Sequence, residues 1–263
     1  TTPRKFTYEV GFNMTYFNSL WKVKADEALS DLMNPYKRQT HQTDYYGLGY
    51  IDTGLYQNKE DILNSPRRLG STQTKLGDIG YTDVNGDGKI DGEDQVRIGK
   101  PTMPHFTYAF DFSLGYEGFT LSGLLYGTGE RYMTFGNRYQ SGEGKYLYYE
   151  NQLNYWRPDN TGADFPRISI SSGVNGNNNK AGSTFWMRNA SYLRLKDLQL
   201  SYDFKYKYLK KCDWLQTCRV NLSGSNLFTI SGVSKFFDPE TSSTSGDGYP
   251  VQRVYSIGVT IGF

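Results

Sequence analysis

Tyr255-Ser256-Ile257-Gly258-Val259-Thr260-Ile261-Gly262-Phe263, the last nine residues, alternate apolar with small or polar side chains without a break. Successive side chains of a strand point to opposite faces. Tyr255, Ile257, Val259, Ile261 and Phe263 therefore form one apolar stripe, and Ser256, Gly258, Thr260 and Gly262 face the other way. A lipid-facing stripe backed by a polar lumen has this pattern, as in a transmembrane β-barrel. The last strand of a soluble β-sandwich alternates in the same way, so these nine residues alone leave both architectures open.

Composition narrows the class. The 263 residues include 23 Tyr, 15 Phe and 29 Gly, yet only 37% are hydrophobic and the mean hydropathy is −0.65. No stretch approaches the roughly 20 apolar residues of a membrane-spanning helix, so a membrane location requires a barrel. A net charge of +2, from 29 basic and 27 acidic residues, and the lack of a Lys/Arg block argue against a nucleic-acid partner. The two cysteines, Cys212 and Cys218, flank Asp213-Trp214-Leu215-Gln216-Thr217 with no histidine nearby. That excludes a zinc pattern and leaves a candidate disulfide across a turn, whose geometry spacing alone does not fix. The chain runs from Thr1-Thr2-Pro3-Arg4 directly into a strand pattern without an apolar leader, as expected after processing or for a piece of something longer.

Residues 6 to 16 place Phe6, Tyr8, Val10, Phe12, Met14 and Tyr16 on one face. A second alternation runs from Phe106 to Leu114, turns tightly at Gly115-Tyr116-Glu117-Gly118 and returns from Phe119 to Tyr126, which predicts a hairpin. Leu198, Leu200, Tyr202 and Phe204 alternate in the opposite parity to Leu193 and Leu195, which predicts a bulge near Lys196 or Asp197. With Val220 and Leu222 and the terminal run, six strands are expected. Their connections alternate in length: long at about 18 to 104, short at 115 to 118, long at about 131 to 190, short at 206 to 216, long at 231 to 249. Outer-membrane barrels have short periplasmic turns and long extracellular loops, whereas a sandwich has no reason to segregate loop length by end. The expected fold is all-β, with Phe263 and the cysteine turn on the periplasmic side. Six strands cannot close a barrel, so residues 1 to 263 are expected to be the C-terminal part of a larger one.

Asp83-Val84-Asn85-Gly86-Asp87-Gly88-Lys89-Ile90-Asp91-Gly92-Glu93-Asp94 reads as a calcium loop within the first long connection. Asp83, Asn85 and Asp87 take ligand positions 1, 3 and 5, the Lys89 carbonyl position 7, Asp91 position 9 and Asp94 position 12. A hard cation needs such crowding of oxygens. Asp94 stands where an EF-hand has glutamate, and its shorter arm leaves affinity and geometry open, as it does the choice between Ca2+ and Mg2+. No helix pattern flanks the loop, so a structural clip is expected rather than a sensor.

The run Gly77-Asp78-Ile79-Gly80-Tyr81-Thr82-Asp83 through Asp91, Ile98-Gly99-Lys100-Pro101, Phe106-Thr107-Tyr108, Ser191 to Leu198, Ser225-Asn226-Leu227-Phe228-Thr229, Phe237-Asp238-Pro239-Glu240 and the terminal Phe263 resembles the C-terminal region of SusC-like (SusC/RagA) TonB-dependent transporters. The resemblance covers about residue 77 to the end. It implies the last six strands of a 22-stranded barrel in the outer membrane of a Gram-negative bacterium. It further implies a plug and N-terminal strands lying outside this sequence, a SusD-like surface lipoprotein as lid, TonB as energy source, and import of oligosaccharides or peptides.

Transport without covalent chemistry is thus the leading expectation. The alternative is a secreted β-rich carbohydrate-binding module with a calcium-stabilised loop, against which the loop asymmetry and the terminal phenylalanine argue. An enzyme is not expected: His41 and His105 lie in unrelated contexts, and no nucleophile and base pair suggests itself. Gly127-Thr128-Gly129 lacks the context of a nucleotide loop. Among the loop aromatics, Tyr146 and Trp156 are the candidate substrate contacts, since aromatic faces pack on sugar rings; interfacial girdles and self-packed loops use the same residues.

Overall fold

The computed structural model describes residues 6–43, 47–68, 70, 74–98, 103–136, 139–140, 149–168, 178–233, 235–241, 248–249 and 251–263. Six strands, β1 Phe6–Tyr16, β2 Phe106–Tyr116, β3 Phe119–Gly129, β4 Tyr192–Asp203, β5 Thr217–Ser231 and β6 Val254–Gly262, form one antiparallel sheet in chain order. The turn between β2 and β3 is two residues long, with Glu117 and Gly118 both at positive φ (46° and 87°), the conformation whose twist matches that of the flanking strands. The strands continue through Gly115 and Tyr116, two residues further than the alternation alone suggests. The expected bulge falls between Leu195 and Asp197, where the ladders of β4 to both neighbours shift register. β5 runs from Thr217 to Ser231, well past the Val220 and Leu222 that announce it.

Register carries the apolar stripe across the sheet. Val10 pairs with Phe112, Phe112 with Gly123, Gly123 with Leu198, Leu198 with Gly224 and Gly224 with Tyr255, so these six positions share one face. That face is bare: Tyr8 is 71% exposed, Phe12 65%, Ile257 73% and Val259 62%. A soluble protein rarely leaves a patch of this extent uncovered. On this face Phe106, Tyr108 and Phe112 lie across from Gly129, Gly127 and Gly123, and each ring occupies the space over its glycine. A Cβ on Gly127 would meet the Tyr108 ring and the Tyr192 carbonyl at 2.5 and 2.6 Å. Gly127→Val should therefore cost about 1–3 kcal/mol through overpacking, read as a lower unfolding temperature of the protein.

The hydrophobic core sits in the long connections and not between sheet layers. Tyr50, Ile79, Tyr81 and Ile90 of the first connection, Met133, Phe135, Tyr139, Phe165 and Trp186 of the second, and Val233 and Phe237 of the third form one buried cluster. Phe135 is its hub, with ring centroids of Tyr139 at 4.8 Å, Phe236 at 5.0 Å and Phe165 at 5.7 Å. Burial of each such ring contributes about 1.5–3 kcal/mol. Two-stranded pieces order the backbone around it: Gly47–Gly49 with Val96–Ile98, Asp52–Leu55 with Ile79–Tyr81, Arg67–Arg68 with Lys89–Ile90, and Tyr132–Thr134 with Met187–Asn189. All three long connections thus converge at one end of the sheet, while the two short turns lie at the other.

Candidate functional site

The face opposite the apolar stripe is polar: Glu9, Asn13, Asp111, Ser122, Arg194, Gln199, Asn221 and Thr260 project from it. Its most buried charge is Arg194, whose side chain is 1% exposed. The guanidinium reaches Asp238 at 2.6 Å and Glu240 at 2.9 Å, and its Nε donates to Thr229 Oγ1 at 2.8 Å. Glu240 also receives Lys196 Nζ at 2.8 Å and the Tyr192 hydroxyl at 2.7 Å. Arg131 donates to the Pro239 carbonyl. The Asp238-Pro239-Glu240 turn of the third connection is thereby bolted to the wall. Burial works to raise the Glu240 carboxyl, but the hydrogen bonds from Lys196 and Tyr192 and the charge of Arg194 outweigh it and hold the group below its usual value.

A second anchor joins the first connection to the second. Asp78 is fully buried; it lies 2.7 Å from Arg167 Nε, accepts from Asn179 Nδ2 at 3.0 Å and accepts from the Lys75 N–H at 2.8 Å. Asn179 Oδ1 accepts from the Ile79 N–H at 3.0 Å, and Asn178 Nδ2 donates to the Ile79 carbonyl at 2.8 Å, which completes the pairing of that short strand. Gly77, at φ +80°, lies under the Trp156 ring, which leaves no room there for a side chain.

The acidic loop is folded on its own backbone. Asp83 accepts from the Gly86 and Gly88 N–H groups at 2.6 and 2.7 Å, Asn85 from Asp87 at 3.0 Å, Asp87 from Lys89 at 2.9 Å and Asp91 from Glu93 at 2.8 Å. Asp94 is fully buried and accepts from Val84 and Asp91, both at 2.8 to 2.9 Å. Burial opposes ionisation of Asp83, yet the N–H groups of Gly88, Gly86 and Asp87 keep its carboxyl below the usual range. Among the described residues no three His, Cys, Asp or Glu side chains are gathered around one point. The donors nonetheless suit a hard cation in kind, because each carboxylate oxygen holding one N–H keeps a further lone pair. Short strands flank the loop at Ile79–Tyr81 and Val96–Ile98, with Ile90 buried as its anchor.

Of the remaining candidates, Trp156 is buried, and its indole N–H donates to Gln57 Oε1 at 2.8 Å, so it serves loop packing in this chain. Tyr146 lies outside the described residues. Cys212 and Cys218 are free thiols in this structure; Cys218 pairs with Ile261 at the foot of β5, and the Cys212 carbonyl accepts from Lys205.

Two curated relatives share this sequence pattern. TonB-dependent receptor P3 of Formosa agariphila is 27% identical over 228 residues, covering 82% of this chain and 22% of the relative. TonB-dependent receptor P26 of the same organism is 26% identical, covering 80% and 22%. The chain thus spans about a fifth of the length of these relatives. The RagAB peptide transporter superposes over the whole chain with a TM-score of 0.69 at 19% identity, across 28% of its own length. In sequence this chain is similar to part of TonB-dependent receptors, and it shares the fold of part of the RagAB transporter. No family model matches it. A second RagAB structure, in the closed-closed state, gives a TM-score of 0.66 at 21% identity, so the fold is shared at low identity. Arg194, Asp238, Glu240 and Asp78 are anchoring positions that sequence reasoning passes over, although all four lie inside the motifs quoted above. An arginine at a polar parity of a strand was the available signal; its partners, 44 and 46 residues away, carry none.

Proposed function

We propose that this chain forms part of the wall and outer loops of a SusC-type outer-membrane importer. In this reading the receptor takes up oligosaccharides or peptides beneath a SusD-like lipoprotein lid, is driven by TonB, and has its C-terminus in the periplasm. The observation that carries the reading is the bare apolar face of the six-stranded sheet opposite a polar one, with every long connection at one end. Such a face suits contact with lipid. Closure to 22 strands belongs to the same reading. Detergent extraction of outer membranes followed by peptide mapping tests it: peptides of this chain should co-purify with plug and upstream barrel peptides and with a SusD-like lipoprotein. Recovery of the chain in the detergent-free soluble fraction would overturn it.

Calcium, or magnesium, is proposed as a clip on the loop of residues 83 to 94, held by Asp83, Asn85, Asp87, Asp91, Asp94 and the Lys89 carbonyl. When bound it would relieve the mutual repulsion of the carboxylates. Calcium should slow proteolysis within this loop, and Asp87→Ala should abolish that protection; equal cleavage with and without chelator in the parent protein refutes the clip.

A further inference from the structure

We propose that a cavity at the outer end of the polar face is a binding site for a carboxylate group of the imported solute, a proposal that rests on the importer reading. The cavity, of about 490 Å³, lies between the upper part of β5 and the turn that carries Asp238. Its lining includes three cations, Arg194, Lys235 and Arg253, against a single carboxylate, Asp238. Arg194 is already matched by Asp238 and Glu240 and forms the floor. Lys235 and Arg253, both exposed, line the same space and have no side-chain ion-pair or hydrogen-bond partner among the described residues.

The remaining walls favour an anion that arrives with an organic body. Phe236, Phe237 and Val251 supply apolar surface, which lowers the local dielectric and strengthens a charge-assisted bond. Asn226 sits at φ 55° and donates to the Gln252 carbonyl at 3.1 Å. This bond holds the backbone that bears Arg253 against β5 before any solute arrives. Guanidinium and ammonium together suit a carboxylate, the first as a fork and the second as a point charge. Two sources present that group, an acidic sugar and a peptide C-terminus.

The test uses the whole detergent-purified receptor and two pairs of probes: tetragalacturonate with its methyl ester, and pentaalanine with its C-terminal amide. At least one acid should bind about tenfold more tightly than its neutral partner, less so at high salt. The double variant Lys235→Gln/Arg253→Gln should lose most of that preference while its heat-induced gel shift stays unchanged. The pair that responds identifies the source. Absence of a preference in the parent receptor, or its survival in the double variant, overturns the proposal. Fractionation of the same cells reports separately on the importer reading, since a receptor that reaches the outer membrane yet prefers neither acid fails only here.

Discussion

Replacing Arg194 with leucine is expected to free the third long connection from the six-stranded sheet. The substitution leaves Asp238 and Glu240 facing each other without the guanidinium that now lies 2.6 and 2.9 Å away. Breaking one side of a buried charge cluster costs about 3 kcal/mol or more, because the partners stay desolvated. Lys196 still neutralises Glu240 in part, so the loss should concentrate on Asp238 and its turn. Limited proteolysis of the full receptor reads this out as new cleavage between residues 231 and 249. Arg194→Lys should rescue only weakly, since an ammonium cannot bond Thr229, Asp238 and Glu240 together. The same cluster predicts acid sensitivity. Glu240 has a folded pKa below its ordinary 4.5, so its contribution is present above the unfolded value and disappears as pH falls through the folded one. Protease protection of the turn should hold at neutral pH and decline below about pH 4.5; protection unchanged down to strong acid would count against the anchor.

Ile257→Arg should be the most damaging single change in the last strand. Ile257 is 73% exposed in the chain and pairs with Leu222 on the apolar face. An arginine near the bilayer midplane costs about 2–4 kcal/mol. Ser256→Arg, on the other face of the same strand and opposite Ser223, places an identical charge against the polar side and should be tolerated. Yield of folded, heat-modifiable receptor in outer membranes distinguishes the two. Equal yields would mean that no lipid covers the apolar face.

The wall was legible in the sequence because a strand's period of two survives any context: Phe6–Tyr16 is read at its observed bounds, and the parity clash between Leu195 and Leu198 located the bulge. The outer connections were not. Their core pairs Tyr50 with Tyr81, and Phe135 with Phe165 and Phe236, over separations that no local pattern announces. Residues such as Ile79–Tyr81 form strands only three residues long, too short for an alternation to register. Trp156 illustrates the cost: in sequence a substrate contact and a self-packed loop aromatic read alike, whereas the structure lays it over Gly77. The acidic loop was legible as a motif, since oxygen donors at fixed spacing need no partner elsewhere, but its hydrogen bonds to its own N–H groups were not.

Because the aromatic core lies wholly in the outer connections while the strands bury nothing between layers, the chain is two materials joined end to end. Urea weakens apolar burial from water, so it should melt the cap first; if lipid covers the strands, as proposed, they should outlast it, and detergent exchange should disturb the two in the opposite order. Sequence drift should follow the same seam, with the strands exchanging greasy residues of the right parity except at the glycines that lie under rings, and the cap tolerating little change at Phe135 or Trp186.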